Sequence, residues 1–119
     1  MNEKGRQLLE AMRAKRGYVL PTHEYLAEHD PDFLDGYDRL FDAAMSEESP
    51  LPRKVREFIL MAADLCLGQA PNVIGSHATR AVEHGATDAE VLAVIELTTL
   101  AYTARALASG IPALRDRGA

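Results

Sequence analysis

Tryptophan is absent, cysteine occurs once, and aromatic residues make up 6% of the 119 positions. A lone thiol, Cys66, cannot close an internal disulfide or form a CxxC pair. A reducing cytoplasm is therefore the expected compartment. With few rings available, the core has to come from Ala, Leu, Val, Ile and Met, which suit helix-to-helix packing. Positive charge is also short. Thirteen Lys and Arg face 18 Asp and Glu, a net charge of -5, so a nucleic-acid partner is not expected. The one basic cluster, Arg53, Lys54 and Arg56, reads as the solvated first turn of a helix. No apolar run of about 18 residues is uninterrupted, and no membrane span is expected. Residues 1–7 carry Glu3, Lys4 and Arg6 with no apolar stretch behind them, which is not a signal peptide.

What is present is a chain 47% hydrophobic, which places it among globular proteins. No repeat, low-complexity tract or linker divides it, so one domain over residues 1–119 is expected. Residues 2–16 carry Leu8, Leu9 and Met12 at helical spacing, with Gly17 as a stop. A short helix fits residues 22–29. Asp30-Pro31 is a helix start, Asp as N-cap and Pro in the first turn. Phe33, Leu34, Tyr37, Leu40, Phe41 and Ala44 then mark one apolar face. A further helix begins near Pro52, with Val55, Phe58, Ile59, Ala62, Ala63 and Cys66 recurring every three or four residues, and stops around Gly68. On that face Cys66 reads as a small core residue. Residues 71–84 form the next helix, closed by Gly85. Thr87-Asp88-Ala89-Glu90 reads as a capping box. No segment alternates with period two for long enough to make a strand, so the expected fold class is all-α.

Residues 91–107 are nearly all apolar with no polar stripe, the pattern of a helix buried on most sides. One small domain rarely wraps a helix so fully, which suggests burial between subunits. Gly110 and Pro112 are expected to end it. Glu96 and Arg105 interrupt the run, and burying a lone charge is very costly. They lie about half a turn out of phase and cannot pair within the helix. Each needs a partner from another helix, another subunit or a ligand. A substrate carboxylate would suit Arg105, which can grip it with two parallel hydrogen bonds.

The stretch 51–114 resembles the carboxymuconolactone decarboxylase family. The residues that carry this are Arg56-Glu57 opening an apolar, Ala-rich helix, His77 twenty residues after Glu57, and Gly85-Ala86-Thr87 followed by Glu90-Val91 and a long apolar helix. Residues 1–50 share only the helical layout. The resemblance implies about six helices assembled as a trimer or hexamer. It also implies one of two chemistries. A dithiol peroxidase branch needs a CxxC pair before the histidine, and the segment from Gln69 to Ser76 has no cysteine. The remaining branch removes CO₂ from a carboxylated lactone or acts on a related small carboxylated substrate of aromatic breakdown. Where the family has Tyr-Ala-Gly-Phe-Pro in its last long helix, this chain has Ala101-Tyr102-Thr103-Ala104-Arg105, with Thr103 and Arg105 at the Gly and Pro positions that help shape the pocket.

Decarboxylation next to a carbonyl builds an enolate, and the site must deliver a proton to carbon. His77 is the expected proton donor, Glu57 its orienting carboxylate, and Arg105, with Glu96, the substrate-binding pair. No metal or organic cofactor is expected, since His77 and His84 lie two turns apart without a carboxylate cluster. His84, beside Gly85, reads as a helix cap. His23 and His29 read as surface residues. The rival reading is a non-catalytic oligomeric helical module that binds a small ligand or protein. A thiol sensor built on Cys66 is a third.

Overall fold

A computed structural model describes residues 1–118, and among them there are six helices and no strand. The all-α expectation and its helix count hold. The chain divides into two compact units, Met1–Ser49 and Pro50–Ala119.

The first unit contains α1 (Glu3–Arg16), α2 (Pro21–His29) and α3 (Pro31–Ala44). Each start has a local cause. Asn2 accepts the Gly5 N–H at 2.9 Å, and Asp30 accepts that of Phe33 at 3.1 Å. Gly17 ends α1 with φ 81°, a left-handed conformation that favours glycine. Leu9, Met12, Ala27 and Leu34 form the core, flanked by Leu8, Val19 and Leu26. At Gly5 a Cβ would collide with the Ala27 carbonyl oxygen, so glycine sets how closely α1 approaches α2.

Two expectations for this unit need correction. His23 is not on the surface: it is 4% exposed, and its Nδ1 accepts the Leu20 N–H at 3.0 Å, standing in for a side-chain cap that Leu20 lacks. The apolar face expected on α3 is mostly open. Leu34 is buried, while Phe33, Tyr37 and Leu40 face solvent. The buried polar residue of α3 is Asp38, held at 2.7 Å by both Arg16 and Lys15. Arg16 also lies 3.6 Å from the centre of the Phe41 ring, a cation–π contact. Three short helices have too little surface to cover a stripe with five large residues.

The second unit contains α4 (Arg53–Cys66), α5 (Pro71–Glu83) and α6 (Asp88–Asp116). Gly68 and Gly85, at φ 72° and 98°, end α4 and α5. His84 caps α5, its Nδ1 reaching the Arg80 carbonyl at 2.7 Å. Thr87 and Glu90 form the capping box, Glu90 N–H to Thr87 Oγ1 at 3.1 Å and Thr87 N–H to Glu90 Oε1 at 3.0 Å. Lys54 ties α4 to α6 through Glu90 at 3.1 Å. The Tyr102 hydroxyl donates to the Cys66 carbonyl at 2.7 Å, satisfying one of the open carbonyls at the end of α4.

Helix α4 is turned the opposite way from its apolar periodicity. Its buried residues are Arg56, Glu57 and Met61. The expected apolar face, Val55 through Cys66, lines an open groove of about 410 Å³ with Val94, Leu97, Thr98 and Ala101 of α6. Cys66 is exposed rather than in a core, and Arg56 is buried rather than solvated. Helix α6 also outlasts its expected end, running through Gly110 and Pro112 to Asp116. Proline removes one N–H from the ladder, and that single loss near the C-terminus does not stop the helix. Leu92, Leu97, Leu100, Leu107 and Leu114 of α6 are exposed. Thr98, Thr99 and Thr103 donate their hydroxyls to the carbonyls four residues back, at 2.7, 2.9 and 3.0 Å. By length and composition α6 qualifies as a membrane span, with mean hydropathy 1.4 over its best 18 residues. One such helix is weak evidence for a membrane, and charges within it argue against one.

Candidate functional site

The buried polar face of α4 is where the chemistry-bearing residues meet, all inside the second unit. Glu57 and Asp64 stand two turns apart on α4 and therefore share a face. His77, in the middle of α5, lies between them. Its Nδ1 is 2.9 Å from Glu57 Oε2, and its Nε2 is 2.8 Å from Asp64 Oδ2. Glu57 is 1% exposed. Its other oxygen, Oε1, accepts from Arg53 Nε at 3.2 Å and from Arg80 Nε at 3.3 Å.

A neutral imidazole has one N–H and one acceptor nitrogen. Between two ionised carboxylates only the imidazolium donates at both ends. The Glu57 hydrogen bond is the main cause that raises the His77 pKa above its ordinary value; burial works against it, and Asp64 adds to it. Arg80 Nη2, 3.1 Å from His77 Nδ1, is a neighbouring cation and pulls the pKa back down. For Glu57, burial would raise the carboxyl, but the His77 hydrogen bond, Arg80 and Arg53 outweigh it and hold the group below its ordinary value. The cluster is a buried Glu57 carboxylate held by His77, Arg80 and Arg53, with Asp64 on the far side of the imidazole ring.

Glu57 was expected to orient His77, and the structure brings the two into contact. It does not bring Glu96 or Arg105 to them. Both are exposed on α6, and neither makes a hydrogen bond or ion pair among the described residues. Asp64 and Arg80 were not singled out in the sequence, and Arg53 was read only as part of a solvated first turn. A signal existed for each: Asp64 lies two turns from Glu57, Arg53 one turn before it, and Arg80 one turn after His77. Among the described residues no group of three His, Cys, Asp or Glu side chains is placed to hold a metal ion. Glu57 and Asp64 flank opposite nitrogens of one ring, so they do not converge on a single point.

The arrangement sets an imidazole between two carboxylates and can move a proton through a ring nitrogen. Residues 31–116, more than half of the chain, match the model of the carboxymuconolactone decarboxylase family. No curated protein and no solved structure gives a match.

Proposed function

The chain belongs to the carboxymuconolactone decarboxylase family, and from that premise we propose that it is a cofactor-independent decarboxylase acting on a small carboxylated lactone or keto acid. The observation that carries this reading is the hydrogen bond from His77 to the buried, cation-held Glu57. Structural ion pairs also bury charge, but this one places a titratable imidazole half-buried at the edge of the cluster. In the proposed step the C–C bond to the substrate carboxylate breaks and CO₂ leaves. The electron pair passes into the adjacent carbonyl as an enolate. His77 then delivers its proton to carbon and is reprotonated from solvent. Glu57 orients the ring and keeps it charged, and Arg53 and Arg80 keep Glu57 ionised. General acids typically contribute about 10²–10⁴-fold. His77→Gln should therefore lose turnover by that order while keeping the fold, in assays of CO₂ release across a panel of carboxylated lactones and keto acids. Wild-type kcat in His77→Gln would overturn the mechanism.

The proposed working form is a homo-oligomer, trimer or hexamer, in which neighbouring copies cover α6. Its exposed leucines support that reading. In this form Arg105 and Glu96 join the site only through a neighbouring copy. A stable monomer in light scattering at micromolar concentration would remove both proposals. A second reading, a non-catalytic ligand- or protein-binding module, is favoured by the open apolar groove between α4 and α6. CO₂ release that depends on His77 decides against it.

A further inference from the structure

Two carboxylates hold the His77 ring, and they hold it unequally. The Glu57 side chain is 1% exposed and takes bonds from His77, Arg53 and Arg80. The Asp64 side chain is 20% exposed, and its carboxylate bonds only His77 among the described residues. Removing Glu57 from the ring would strand three cations in a buried place, where an unpaired charge is costly. Turning Asp64 out breaks one charge-assisted bond and returns a carboxylate to water. What remains is an Nε2–H without its acceptor, with His77, Arg53 and Arg80 against Glu57 alone.

We propose that Asp64 is an internal stand-in for the ligand: it occupies the Nε2–H of His77 until a carboxylate of a small ligand takes its place. This rests on the reading of His77 as the site's proton donor, and it adds a rule for selection. A carboxylate exchanges with Asp64 like for like. A neutral ester or lactone carbonyl is a weaker acceptor and does not displace an ionised group from an imidazolium. The site therefore selects anionic ligands before any chemistry begins, and Asp64 keeps other acceptors off the ring when no ligand is present.

The test is a titration with sodium acetate at fixed pH and chloride, followed through the ring resonances of His77 by NMR. Wild type is compared with Asp64→Ala and Asp64→Asn, and methyl acetate is the neutral control. If the form with Asp64 turned out is about a tenth of the free protein, removing Asp64 lowers the apparent Kd for acetate about tenfold. Asp64→Asn, which keeps a neutral acceptor, should fall between. Methyl acetate should leave the ring resonances unmoved in the wild type, where Asp64 holds the Nε2–H. Equal or weaker acetate binding in Asp64→Ala would overturn the proposal. So would tightened binding that survives His77→Gln in the same background. If circular dichroism shows Asp64→Ala unfolded, Asp64→Asn carries the same comparison with the same sign. Tightened acetate binding with no CO₂ release from any panel compound supports this inference and overturns the decarboxylase reading. Turnover by the wild type with no tightening in Asp64→Ala does the reverse.

Discussion

Residues 1–49 enclose Leu9, Met12, Ala27 and Leu34, while the unit beginning at Pro50 encloses Arg56, Glu57, Met61 and Ala81 and leaves its most apolar helix facing solvent. Each unit also holds one histidine away from water, in opposite ways. His23 accepts a backbone N–H and so serves as a neutral ring. His77 lies between two carboxylates, and the Glu57 hydrogen bond raises its pKa. The first unit uses polar groups to end helices and tie their edges around an apolar centre. The second puts polar groups at the centre, where they cost most to assemble. Such an arrangement is expected where a site needs held charge, and it leaves the apolar surface free for other contacts.

The largest expected effect is on the second unit. Glu57→Leu leaves Arg53, Arg80 and His77 without their shared anion and should destabilise that unit by about 3–5 kcal/mol, read by urea denaturation with hydrogen exchange resolved for each unit. A loss below about 1 kcal/mol would mean the polar centre holds nothing together. Next comes the apolar centre. Leu34→Ala should remove about 2–5 kcal/mol from the first unit while leaving exchange within 50–118 unchanged. Equal loss of protection in both would show that the two stabilities are not separate. Smaller again is Thr87→Ala, which should cost about 1 kcal/mol by opening the capping box of α6. A neutral result would indicate that α6 is held by what covers it and not by its own start.

The least in size, and the sharpest in sign, is a pH comparison. His77 is raised, so its contribution to stability is complete below its ordinary value of about 6.5 and is lost as pH climbs through the raised value. His23 is lowered by burial and then by Arg16, so its contribution is present above about 6.5 and is lost as pH falls below it. Ring titrations by NMR should put His77 above that value and His23 below it. Midpoints on the same side would erase the contrast between the units.

Helix starts and stops were legible wherever a short-range contact sets them. Asp30, Gly17, Gly85, His84 and the Thr87–Glu90 box act within four residues, and the sequence shows both partners. Which face of α4 is buried was not legible. Periodicity ranks faces by apolar content, and here burial follows three charged partners from α4 and α5 that only the folded chain brings together. The same blindness hid Arg80 and Asp64. It also misplaced His23, because a ring nitrogen acting as a cap leaves no mark in composition. Residues Glu57 and His77 were visible through family spacing and not through physics, since a Glu early in a helix is ordinary.

The threonines of α6 carry one more consequence. Each hydroxyl proton is committed to the helix's own carbonyl, at buried Thr98 and at exposed Thr99 and Thr103 alike. A helix that satisfies its polar atoms internally can exchange one environment for another without rewiring. Between Val91 and Leu114 of α6, the charges that resist trading water for an oily neighbour are Glu96 and Arg105. Glu96 and Arg105 lie nine residues apart on opposite sides of α6, so a surface that covers one side has to answer a negative charge and a surface that covers the other side a positive one.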